Sequence, residues 1–181
     1  MPPPSDQRAR AGRRGAEIAL PGFLIGLAGG VLIGLLAVLG DLPAAHAAVV
    51  VLVLGLPLAV AGACYDLLLL RGRMGIGTFA PAVAFWLPLF PLARLLDEAL
   101  SDVLAGRPVA LPDAVLPFLL FQAIISVSYA IGFVLLHEQV APRWWLRVRD
   151  RNPDAALLIE RYKRHAALQI ESERRRGRSR L

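Results

Sequence analysis

GFLIGLAGGVLIG, residues 22–34, places a glycine at every fourth position: Gly22, Gly26, Gly30 and Gly34. In water each would cost a helix about 1 kcal/mol against alanine. In a bilayer no hydrophobic effect presses one helix onto another, so association depends on close van der Waals contact and interhelical hydrogen bonds. Glycines in register carve a groove along one helix face, and a neighbouring backbone can approach along it. Gly29 widens that groove. Gly55, Ala59 and Ala63, with Gly62 beside them, form a matching small series further along the chain. These positions are assigned to helix packing. The first expectation is a contact between the two segments of one chain. Oligomerisation through the groove comes second, and a glycine-lined pore or lipid groove third.

The composition agrees with a membrane location. The chain has 181 residues, 56% hydrophobic and 19% charged, against about 45–50% and about 25% for ordinary soluble domains. A transmembrane helix needs about 20 predominantly apolar residues. Four segments qualify: Ala16 to Leu39, Ala47 to Leu70, Ile76 to Leu96 and Ala114 to Leu136. The fold class expected is an all-α membrane protein, a four-transmembrane-helix bundle spanning residues 16–136. A basic, disordered arm (residues 1–15) precedes it, and a basic tail (residues 137–181) follows. Span 3 carries Pro81, Pro88 and Pro91. Each removes a backbone donor, so a kink or break is expected near Pro88–Pro91. A signal peptide is the rival reading of span 1, with Ala45-His46-Ala47 as its cleavage site. A signal h-region runs to only about 7–15 residues, shorter than this segment, so an uncleaved helix is preferred.

Basic residues set the expected orientation. With four spans, eighteen of the twenty lysines and arginines fall on one side; only Arg94 and Arg107 fall on the other. This puts both termini in the cytoplasm, with the chain in the cell membrane. Leu92 to Gly106 then lies outside. Its apolar residues repeat at offsets of three and four, so a short amphipathic helix on the outer surface is expected. Arg94 has helix spacing to Asp97 and Glu98 and reads as a solvated local ion pair.

In the tail, Arg143, Trp144, Trp145 and Arg147 have the chemistry of a membrane-interface anchor, with amphipathic rings and charges for anionic lipid headgroups. Asn152 and Pro153 read as the N-cap and first residue of an amphipathic helix over about 153–175, which packs on the bundle or the inner leaflet. The closing RRRGRSRL is expected to be disordered. The charge raises nucleic acid as a partner, but no binding motif supports it.

Ionisable or polar groups within spans are functional candidates by default. Asp66 lies five residues before Arg71, roughly 7 Å along a helix axis. The bland reading pairs it with Arg73 or an arm arginine at the interface; the functional one is a cation or proton site. Glu17 reads as a helix-start carboxylate. Gln122, Ser126 and Tyr129 share one face of span 4, either as hydrogen-bonding glue between helices or as the lining of a substrate path. His46, His137 and His165 are too dispersed to ligate one metal. The lone Cys64 permits no intrachain disulfide. No catalytic motif is present, and no catalytic residue, metal ligand or cofactor is assigned. The expectation is a non-catalytic subunit or assembly partner of a membrane complex. A small transporter or channel protomer is the alternative, and a lipid-acting enzyme the third reading.

Overall fold

The computed structural model describes residues 4–41, 43–104, 106–109 and 111–178. They form five helices: α1 (Pro4–Leu39), α2 (Ala44–Leu70), α3 (Phe79–Leu104), α4 (Val115–Val148) and α5 (Pro153–Arg178). No strand occurs among the described residues. The first four helices are each long and apolar enough to cross a membrane. Each packs against the next and α4 returns to α1, closing a four-helix ring; α5 lies against α4 and touches α1. The C-terminal ends of α1 and α3 and the N-terminal ends of α2 and α4 lie at one end of the bundle, called here the loop end. The 71–78 connection and α5 lie at the other, the tail end.

The closest helix pair is α1 with α2. A Cβ added at Gly22 would lie 2.1 Å from the Gly62 carbonyl oxygen, and one at Gly26 would lie 2.2 Å from that of Leu58. At Gly30 it would lie 2.3 Å from the Gly55 Cα, and at Gly34 2.4 Å from Val51 Cγ2. From Gly22 to Gly30 the two backbones are therefore in antiparallel contact with no room for a side chain between them, and at Gly34 the Val51 side chain fills the groove. Ala59 is buried in the same seam. Gly62, rather than Ala63, faces Gly22. Two helical turns take about 7.2 residues, so Gly55 and Gly62 lie on one line along α2 while Ala63 has rotated off it. Gly29 faces away from this seam and makes room for Tyr129 of α4, whose Cε2 would be 2.8 Å from an added Cβ.

Several expected boundaries are corrected. Residues 4–15, expected as a disordered arm, are the first turns of α1, and helix α5 continues to Arg178 into the expected disordered end. Residues 179–181 lie outside the described residues. No break occurs at Pro88–Pro91 and no separate outer helix begins at Leu92, because α3 runs unbroken to Leu104. A single buried seam of Ala82, Trp86, Phe90, Ala93 and Asp97 passes through the prolines. Packing of that seam on the neighbouring helices outweighs two lost backbone bonds, as bundles of membrane helices allow. The amphipathic face is also turned around. Leu92, Leu96, Leu100, Val103 and Leu104 are exposed, and Asp97 points inward. Lastly, residues 137–148 continue α4 beyond the expected end at Leu136.

The tail-end connection is tightly specified. Arg73 N–H donates to the Leu68 carbonyl and Gly72 N–H to that of Leu69, with Gly72 at φ 71°. This is a Schellman closure, whose left-handed residue suits glycine. Arg161 of α5 donates to the Leu70 carbonyl at 2.7 Å and shares that of Leu69 at 3.3 Å. The α5 N-terminus is capped by Asn152, whose Oδ1 accepts from Asp154 N–H at 3.1 Å.

Candidate functional site

Two polar clusters occupy opposite ends of the bundle. At the tail end, Asp66 is fully buried. Its Oδ2 accepts the Gly22 N–H at 2.7 Å and its Oδ1 lies 2.5 Å from His137 Nε2. The bond to Gly22 exists because α1 offers no side chain there. Neither Arg73 nor an arm arginine reaches Asp66, so its expected interfacial pairing is corrected: burial between α1, α2 and α4 selects a histidine 71 residues away. His137 packs edge-on to Tyr65 and Trp145, and its Nδ1 has no hydrogen-bond partner. Next to it, Glu138 Oε1 accepts from Gly77 N–H and Tyr162 O–H, both at 3.1 Å. Burial, and after it the Glu138 charge, raise the Tyr162 pKa above the ordinary phenol value. Tyr162 therefore stays protonated and remains the donor.

The paired tryptophans complete this end. Pro21 has no N–H, so the Glu17 carbonyl one turn earlier loses its helical donor. Trp144 Nε1 supplies one at 2.8 Å, and Trp145 Nε1 donates to the adjacent Ile18 carbonyl at 3.1 Å. Trp145 is entirely buried. Its expected place in a headgroup layer is corrected, since α1 offers it an unpaired carbonyl and α5 covers it with Tyr162. Arg143 and Arg147 remain exposed on α4. Glu17 is held by Asn152 Nδ2 at 3.1 Å and by Arg151 at 3.2 Å.

At the loop end, a cavity of about 590 Å³ opens between all four helices. Its walls are apolar: Ile33 and Ala37 of α1, Val49 and Val50 of α2, Phe90 of α3, Phe121 and Ile125 of α4. One polar stripe interrupts them. Arg94 binds Asp97 through Nη1 and Glu98 through Nη2, the latter at 2.8 Å, and Ser101 Oγ donates to Asp97 Oδ1 at 3.3 Å. The side chain of Asp97 is only 4% exposed, which corrects the expectation of a solvated ion pair. On α4, Gln122 is 6% exposed, lines the cavity and makes no hydrogen bond to the protein.

Between the clusters lies an aromatic layer. Trp86 meets Tyr129 and Phe133 with ring centroids 4.8 Å apart in both cases, Phe90 meets Tyr129 at 5.0 Å and Tyr65 meets Phe133 at 5.2 Å. Within it, Trp86 Nε1 and the Tyr129 hydroxyl are buried without partners. Ser126 bonds only to its own helix, at the Ala123 carbonyl. The four intramembrane polar residues singled out in the sequence therefore do not converge. Asp66 belongs to the tail end, Gln122 to the cavity, and Tyr129 to the layer between them. His137, Arg94 and Asp97 were the residues sequence reasoning undervalued. The only signal for them was helical spacing in one case and a histidine at a span's edge in the other. Among the described residues, no three His, Cys, Asp or Glu side chains group as a metal site would require.

Four helices long and apolar enough to cross a bilayer mark the fold as that of a multi-pass membrane protein. Comparison with protein families, curated proteins and solved structures finds no match for the chain.

Proposed function

We propose that the protein is a small transporter, with the loop-end cavity as its solute site and the aromatic layer as its closed barrier. One observation carries the reading: Gln122, 94% buried, lines an open cavity with its amide unpaired. The amide has no partner in the protein and faces the open cavity, so a bound solute could take its hydrogen bonds, each worth about 0.5–1.5 kcal/mol. The cavity size lies within the range of about 300–1,000 Å³ common for small-molecule sites. The unpaired Tyr129 and Trp86 donors below its floor offer polar contacts for onward passage. The assembly-subunit reading rests on the glycine groove, the tail helix and the absence of a catalytic motif; of these, the groove is filled by α2 within the chain. With the tail end cytoplasmic, the cavity opens outward and the exposed Arg143 and Arg147 meet anionic headgroups.

Reconstitution into liposomes tests this. An amphiphilic solute should enter protein-containing vesicles faster than empty ones, and Gln122→Leu should cut the protein-dependent rate about tenfold, as losing a bond worth about 1.4 kcal/mol implies. No protein-dependent flux, or flux indifferent to Gln122→Leu, would reject the proposal.

A further inference from the structure

Resting on that reading, we infer that the cavity selects a monovalent organic cation with an apolar body. In the polar stripe one guanidinium faces two carboxylates, so the lining carries one surplus negative charge. An anion would need Arg94, yet both its terminal nitrogens are committed to Asp97 and Glu98. Both Asp97 oxygens are likewise engaged, by Arg94 and Ser101. The group left over is Glu98, whose side chain is 44% exposed and whose Oε2 accepts no hydrogen bond. On the neighbouring helix α4, the unpaired Gln122 amide lines the same cavity with a carbonyl oxygen able to accept from an ammonium head. Phe90 and Phe121 supply aromatic wall beside these two groups, and aromatic rings attract organic cations.

The loop end of the bundle as a whole has the same sign. The loop-end segments carry Asp41, Asp102 and Asp113 besides Asp97 and Glu98, against only Arg94 and Arg107. Arg107 is already bound to Asp102 at 2.6 Å. A cleft with one sign of charge and low-dielectric walls concentrates counter-ions at its entrance. An apolar cavity with a single surplus carboxylate at its rim suits a large, weakly hydrated cation. A small metal ion would demand several converging oxygens.

Tetraphenylphosphonium and tetraphenylborate, alike in shape and opposite in charge, test this on the full chain in lipid nanodiscs, with empty nanodiscs subtracted. The phosphonium should bind saturably and the borate should not. Glu98→Gln should weaken phosphonium binding tenfold or more. Glu98→Lys, which makes the lining net positive, should reverse the preference. Both changes fall on a half-exposed side chain, and an unchanged melting temperature verifies the fold. Equal binding of the two ions, or phosphonium binding indifferent to Glu98→Gln, would overturn the cation assignment. The cavity reading has its own readout: a neutral probe, N-phenyl-1-naphthylamine, should bind less well to Gln122→Leu. If no probe responds to that change, the transport reading falls together with the inference built on it.

Discussion

The tail end and the loop end of this bundle contain similar chemistry and use it in opposite ways. Both bury a carboxylate within a helix that reads as a membrane span, and both oppose it with a basic side chain. At the tail end almost every group made available by local sequence is satisfied by a remote one. Gly22 N–H goes to Asp66, the Pro21-orphaned carbonyl of Glu17 to Trp144, and the last carbonyls of α2 to Arg161. At the loop end the polar network lining the cavity is confined to one helix, α3, and Gln122, which lines the same cavity from α4, is left unpaired. Apart from His137 Nδ1, these long-range bonds tie the helices together and make the tail end a structural clamp. The unmet hydrogen-bonding capacity at the loop end is what a binding site requires before its ligand arrives.

If that contrast holds, substitutions at the two ends diverge in kind. The largest effect is expected for His137→Leu, which strands a fully buried Asp66. Removing one partner of a buried pair costs about 3–5 kcal/mol, so detergent-solubilised protein should lose most of its folded population at the wild-type melting temperature. Restoring near-normal melting by adding Asp66→Asn would show that the stranded charge was the cause. Gly22→Ala comes next. Its methyl group meets the Gly62 carbonyl and the Asp66 carboxylate at once, and a loss of about 2–3 kcal/mol is expected from overpacking. Gly132→Ala has nothing within 4 Å and should leave melting unchanged. Trp144→Phe keeps the ring but removes the donor to Glu17, and should cost about 1 kcal/mol. The smallest effect on stability belongs to Gln122→Leu, which removes an amide with no partner in the protein and should leave melting unchanged while weakening solute binding. A substantial drop in melting for Gln122→Leu would erase the distinction between the two ends.

How much of this could be read from the chain depended on the range of the interaction. The four apolar spans were visible because a bilayer imposes length and composition on each helix separately. The glycine spacing pointed to close packing, but whether Gly62 or Ala63 completes the line depends on a rotation that emerges only when two helices are set side by side. The spacing of Arg94 to Asp97 and Glu98 was plain; its burial was not. Amphipathicity has no fixed sign in a membrane bundle, where the apolar face of α3 turns outward and the charged face lines a cavity. Trp144 and Trp145 resembled interface anchors because nothing local ties them to Pro21, 123 positions before the first of them. Asp66 and His137 meet through tertiary structure alone.

The most direct measurement of the central claim is the reaction of a cysteine at position 122 with a membrane-impermeant thiol reagent. It uses a Cys64→Ala background, since Cys64 is exposed. The account predicts rapid labelling of Gln122→Cys from the loop end, and slowing by tetraphenylphosphonium as the cavity fills. A cysteine at 122 that stays unlabelled, or labels at one rate whatever solute is present, would contradict it.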